Sequence, residues 1–201
     1  MSFGSFCVKK DDDQKDLQVL QPEFISIEGN QIGFLSYFNI VQSVENKTGE
    51  DLEEITYIFP TDNRLCLYGL TFYIGKEKIE AKIEKKTDSK EIFEEAKATG
   101  KTAVMSENIS PGLTLIHVGN VPKNETIKVV LNCSFMSQLS SSNKILTKIP
   151  LYGCDLRGDF LDLTDYPSLN LSAKIDVIQF SEIKNVNVNF DDYSFEKNRN
   201  K

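Results

Sequence analysis

From Leu17 to Val188 the chain is a series of short apolar runs with a period of two, parted by Gly, Pro, Asn and Ser, and only once does the period become helical. Alternation puts successive side chains on opposite faces of a strand, so such a chain must stack sheet on sheet to cover its apolar faces. The expectation is a mainly β fold: an antiparallel β-sandwich with one short α-helix.

The runs locate the elements. Phe24, Ile25 and Ile27 open the first, and Gly29-Asn30 is read as a two-residue hairpin turn because both residues accept positive φ. Ile32, Phe34, Phe38, Ile40 and Val44 share one parity while Leu35, Tyr37 and Val41 occupy the other, so both faces of this strand are expected to be at least partly covered. After a loop at Asn46 to Gly49, a strand from Ile55 to Phe59 ends at Pro60, and Thr61-Asp62-Asn63 is the next turn. Leu65 and Leu67 fall in phase with Leu70, Phe72 and Ile74 only if a bulge at Gly69 absorbs one residue. Ile79, Ala81 and Ile83 alternate with charged residues, giving a strand with one solvated face.

The period then changes. Ile92, Phe93 and Ala96 recur at helical spacing and should dock a helix of about three turns, with Asp88 and Glu91 as a capping box and Gly100 as the stop. Further strands are expected at Thr102 to Met105, Leu113 to Val118, Ile127 to Phe135 and Ile145 to Leu151. They are divided by Pro111-Gly112, Gly119-Asn120, Pro122-Lys123-Asn124 and a Ser-rich loop. Leu169, Leu171, Ala173, Ile175 and Val177 alternate strictly, and Ile183, Val186 and Val188 suggest one strand more. The domain plan is a flexible leader at 1–15, a sandwich domain at 16–190 and a flexible tail at 191–201.

A net charge of -7 with the lysines interleaved among glutamates disfavours phosphate backbones, so nucleic acid is not an expected partner. No apolar run has signal-peptide or membrane-spanning length, which points to a soluble cytoplasmic protein that makes no use of a membrane. Cys7, Cys66, Cys133 and Cys154 form no C-x-x-C pair and read as free thiols rather than zinc or redox ligands. Cys133, in phase with Ile127, Val129, Leu131 and Phe135, is a small apolar core residue.

Several features invite a chemical reading and have a plainer one. Arg157-Gly158-Asp159 matches an integrin-recognition tripeptide, yet three residues recur by chance and no export signal precedes them. Sequons at Asn46, Asn108, Asn124, Asn132 and Asn170 need a glycosylating compartment. His117, the single histidine, lies in a strand without a flanking nucleophile motif and is read as structural. Glu53-Glu54, Glu94-Glu95, Asp159, Asp162 and Asp165 have no spacing that fixes a glycosidase pair, and Asp155 to Asp162 only loosely approximates a calcium loop. No catalytic, cofactor-binding or metal-ligating residue is assigned.

One ordered set of motifs is specific. Tyr57-Ile58-Phe59-Pro60 is followed by Gly69 and Phe72, then Gly75, then the charged segment Lys90 to Ala96 containing Phe93 and Ala96, then Gly100, and then Gly119-Asn120-Val121-Pro122. This series resembles the VIT domain, the module of vault-associated poly(ADP-ribose) polymerase and the inter-alpha-trypsin inhibitor heavy chains that usually precedes a von Willebrand factor A domain. The resemblance runs from about Phe24 to Phe135 and more loosely to about Phe190; Thr61, Ser89, Phe93 and Val121 depart mildly from the family pattern. The Asp-x-Ser-x-Ser motif of a following A domain is absent from this chain.

The resemblance implies a structural signature and a non-enzymatic interaction or scaffold module. Its partner would be another protein or an adjacent von Willebrand A-type domain. The alternative is a secreted or surface adhesion protein of the inter-alpha-trypsin kind. A β-sandwich hydrolase is the third reading and requires two carboxylates converging in a cleft.

Overall fold

The computed structural model describes residues 4–9, 17–60, 65–80, 86–110, 113–141, 144–147, 152–154, 160–162, 169–179, 182–188 and 194. The strands are β1 (Ser5–Lys9), β2 (Leu17–Val19), β3 (Pro22–Ile32), β4 (Leu35–Glu45), β5 (Leu52–Pro60), β6 (Leu65–Ile74), β7 (Glu77–Glu80), β8 (Ala103–Ser110), β9 (Leu113–Val121) and β10 (Thr126–Met136). The short pairs β11 (Gln138–Leu139) with β12 (Ile145–Leu146) and β13 (Tyr152–Cys154) with β14 (Phe160–Asp162) follow, and then β15 (Asn170–Ile178). The helix α1 spans Lys86–Ala98.

Two sheets form the sandwich, a five-stranded one in the order β2-β1-β5-β9-β8 and a six-stranded one in the order β15-β3-β4-β10-β6-β7. Their facing sides supply one continuous core. In β10 every odd residue from Ile127 to Phe135 is buried, and in β4 the buried set is Ser36, Phe38, Ile40, Gln42 and Val44. Alternation thus produced the inner face it predicted, while the odd residues Asn39, Val41 and Ser43 of β4 are half-buried on the outer side. Cys133 is fully buried, and its apolar surroundings push the thiol pKa up to about 11. Tyr57 sits at the centre, its ring 4.6 Å from Phe6 and 6.0 Å edge-on to Phe72, its hydroxyl donating to Gln42 Oε1 at 3.2 Å.

The structure differs from the sequence expectations in several places. Ser5–Lys9, assigned to a flexible leader, is a strand that pairs with β5, and Phe6 and Cys7 are fully buried; the partner it needs, Tyr57, is distant in sequence. The first hairpin turns at Gly33-Phe34, not at Gly29-Asn30. Gly29 instead lies inside β3, where a side chain would run into the Tyr37 carbonyl and the Phe38 ring. The segment 182–188 is not a strand, consistent with the broken spacing between Ile183 and Val186.

The sandwich is mixed rather than wholly antiparallel, because β15 pairs parallel with β3. The bulge expected beside Gly69 is present: Asn132 pairs with Gly69 but Cys133 pairs with Leu67, leaving Tyr68 as the extra residue. Ala81 to Glu84, Thr61 to Asn63, Pro111-Gly112 and most of the 191–201 tail lie outside the described residues.

Candidate functional site

Helix α1 rests on the outer face of the five-stranded sheet. Register places Glu54 beside Gly119 and Thr56 beside His117 on that face, and the buried Phe93 ring lies over both Gly119 and His117. Ile92, expected to dock the helix with Phe93 and Ala96, points to solvent, because adjacent helical residues project about 100° apart and only one meets the sheet. The helix also starts at Lys86, so Asp88 lies within its first turn rather than at its cap.

A charged cluster sits beneath Phe93. Glu54 Oε1 is 2.9 Å from His117 Nδ1, and Lys97 Nζ donates to Glu54 Oε2 at 3.0 Å. The hydrogen bond to His117, aided by Lys97, outweighs partial burial and holds the Glu54 pKa at about 2. The same carboxylate raises that of Lys97. These groups satisfy one another, so the cluster clamps α1 to the sheet.

The signature residues converge on the same region. Gly100, at φ +73°, ends α1: its N–H donates to the Lys97 carbonyl at 3.0 Å and the Lys101 N–H to the Ala96 carbonyl at 3.0 Å, a Schellman pair. Asn120, at φ +55°, turns its Nδ2 onto the carbonyls of Lys97 at 3.1 Å and Lys101 at 2.8 Å. Gly119 was expected at a turn but is paired within β9, with Ala103 on one side and Glu54 on the other. Tyr57, Phe59 and Phe72 fill the core, Gly69 marks the bulge, Gly75 makes the β6–β7 turn and Pro60 ends β5 opposite Leu113.

Pro122 joins a second knot. Fully buried Asn46 donates from Nδ2 to the carbonyls of Glu50 at 3.0 Å, Val121 at 3.3 Å and Pro122 at 3.0 Å, and its Oδ1 accepts from Thr48. Sequence reading noted Asn46 only as a loop residue and sequon; an Asn opening Asn-Lys-Thr-Gly after a strand is also the pattern of an Asx turn. Among the other sequons, Asn124 and Asn170 are exposed and Asn132 is half-buried beside Asn39.

Among the described residues no group of His, Cys, Asp and Glu is arranged to hold a metal ion. Cys7, Cys66 and Cys133 form no disulfide. Arg157 to Asp159 and Asp165 lie outside the described residues.

The surface feature that sequence reading missed is an apolar row at one end of the six-stranded sheet. Pairing places Ile178 beside Ile32, Ile32 beside Leu35 and Leu35 beside Met136, all on the outer face, with Phe34 in the adjoining turn. These five residues are between 38% and 64% exposed. The available signal was Ile32-Gly33-Phe34-Leu35, an apolar set around a turn glycine where polar residues are usual.

A family model described as Vault protein inter-alpha-trypsin domain matches residues 23–133, more than half of the chain. Protein mono-ADP-ribosyltransferase PARP4 of Mus musculus is 25% identical over 121 residues, 60% of this chain and 6% of that protein. The Homo sapiens protein of the same name is 26% identical over 118 residues, 59% of this chain and 7% of that protein. The chain therefore spans less than a tenth of these relatives.

Among solved structures, a putative nutrient binding protein of Legionella pneumophila matches with a TM-score of 0.38 and 9% identity over 68% of this chain and 44% of that one. An M1 zinc metallopeptidase of Deinococcus radiodurans gives 0.34 and 12% over 79% and 32%.

Proposed function

The chain belongs to the vault protein inter-alpha-trypsin domain family, and from that premise we propose that it is a non-catalytic interaction module whose exposed apolar row docks against another protein domain. The observation that carries this reading is the row Ile178–Ile32–Leu35–Met136 with Phe34 beside it. A contiguous apolar patch held on paired strands gives an interface a preformed, desolvated centre.

The partner is a protein surface of matching apolar character, in the first instance a von Willebrand A-type domain of the same longer protein. Support comes from the setting of the module in the PARP4 relatives, where the matched stretch is 6–7% of a long chain. The charge of -7 and the satisfied cluster around Glu54 support binding to protein over nucleic acid and a structural over a catalytic role. A cytoplasmic location is part of the proposal.

The test compares the parent chain with a Phe34→Ser/Met136→Ser variant. Partners recovered on the parent are identified and titrated, purified, against both proteins. The expected result is at least tenfold weaker binding by a variant that keeps its unfolding midpoint, since each buried apolar side chain contributes about 1.5–3 kcal/mol. Equal binding by the two proteins, or no partner on either, would overturn the reading.

A further inference from the structure

One edge of the six-stranded sheet is β15, and we propose that it pairs antiparallel with β15 of a second copy, joining two sheets across a two-fold axis. This inference rests on the edge geometry and not on the apolar row.

The Gly33 N–H donates to the Ile178 carbonyl at 3.1 Å, so Ile178 turns its backbone groups toward β3. Backbone groups alternate sides along a strand. Those of Leu171, Ala173, Ile175 and Val177 therefore face the open edge, which carries no further strand among the described residues.

The side chains supply the second observation. Ala173 and Ile175 lie on the inner side of the sheet, Ala173 in register with the buried Ile27, yet both are exposed, Ile175 at 36%. Leu171 packs against the core, but at Ala173 and Ile175 the core stops short and leaves the apolar face of the strand open. On the outer side Lys174 and Asp176 are exposed and make no ion pair among the described residues.

A two-fold axis at Ile175 uses all of this at once. It sets Ile175 against its own copy and Ala173 against Val177 of the second copy as hydrogen-bonded pairs. Lys174 then faces Asp176, and Asp176 faces Lys174, in the closer non-hydrogen-bonded positions where opposite charges attract. Shifting the axis by one residue sets Lys174 against Lys174 or Asp176 against Asp176, which repel. Charge therefore selects one register, and a two-fold operator closes the assembly at a dimer.

An exposed lysine on an edge strand ordinarily blocks pairing. Here the aspartate two residues on, on the same face, converts the block into a self-complementary code. One strand pair buries less than the roughly 1,200 Å² of a standard stable interface, so the dimer is weak and concentration-dependent.

Sedimentation velocity of the full chain, across about two decades of micromolar concentration, tests the proposal. The parent should pass from monomer to dimer. Lys174→Asp and Asp176→Lys should each abolish the dimer while circular dichroism stays unchanged, and the double charge swap should restore it. A parent that is monomeric throughout would overturn the proposal and leave the edge to an extended segment of another protein. Dimerisation indifferent to the single substitutions, or a double swap that fails to recover it, would also overturn the proposal. Because only this chain is present, the outcome is independent of whether the apolar row binds a partner.

Discussion

The side-chain amide of Asn120 donates to the backbone carbonyl of Lys101 at 2.8 Å and to that of Lys97 at 3.1 Å, so a residue of β9 closes the end of α1. Lys97 lies in the last turn of α1 and Lys101 just beyond it, so the amide ties the helix end to the segment that follows. Asn120→Gly, which keeps the positive φ of 55° and removes the amide, should cost about 1 kcal/mol in urea unfolding. Asn120→Ala adds backbone strain and should cost about 1 kcal/mol more.

Acid should weaken the clamp between α1 and the sheet. The Glu54 pKa lies at about 2, below its ordinary 4.5, so its ionised form is favoured by folding. That stabilisation is complete above the ordinary value and is lost as pH falls toward the folded one. Discounted for partial solvent screening, it amounts to about 1–2 kcal/mol. Glu54→Gln should lower the unfolding free energy by that amount at about pH 7 and leave it nearly unchanged at about pH 2, because the parent has lost the contribution there. Equal differences at the two pH values would contradict the assignment.

Asn46 bears a heavier load. Alanine there would take one donor each from the carbonyls of Glu50, Val121 and Pro122 and release Thr48 from its turn. The expected cost is about 2–3 kcal/mol, since one fully buried side chain loses several hydrogen bonds together. Denaturant midpoints of Asn46→Ala and Asn46→Ser check it, with the serine variant also destabilised because its hydroxyl cannot span three carbonyls.

The bulge should be visible as coupling between two residues. A side chain at Gly69 would place its Cβ 2.8 Å from Asn132 Nδ2. Gly69→Ala should cost about 1–3 kcal/mol alone, and less in an Asn132→Ala background, with a coupling of about 1 kcal/mol in a double-mutant cycle. Strict additivity would show that the approach of the two residues is not what excludes a side chain.

What the sequence disclosed and what it hid separate along one physical line. Period-two alternation located β4, β6 and β10 and their inner faces, because that pattern is written within a single strand. The phase slip between Leu67 and Leu70 even located the bulge. The strand at Ser5–Lys9 was hidden because five residues carry too little pattern and their stability comes from Tyr57. The parallel placement of β15 was hidden for a similar reason: alternation records a face but not the direction of a neighbour. The signature residues were legible as a series, whereas the amide of Asn120 on the helix end and the contact of Glu54 with His117 join residues far apart in sequence. The apolar row exists only when four strands are laid side by side.

Because α1 is held by few attachments, it should detach as a unit without unfolding the sandwich. Phe93 is its one large buried side chain among the described residues, backed by the Lys97–Glu54 pair and the Asn120 cap. The β4–β10 core has its own continuous apolar contacts and does not include Phe93. Phe93→Ala removes burial worth about 3–5 kcal/mol, close to the whole attachment of a helix made otherwise by one ion pair and a cap. Hydrogen exchange of the variant should therefore quicken strongly in residues 91–101, while amides of β4 and β10 keep their protection. Uniform loss of protection across both regions would instead make the helix and the sandwich a single cooperative unit, and the clamp around Glu54 an integral part of the core.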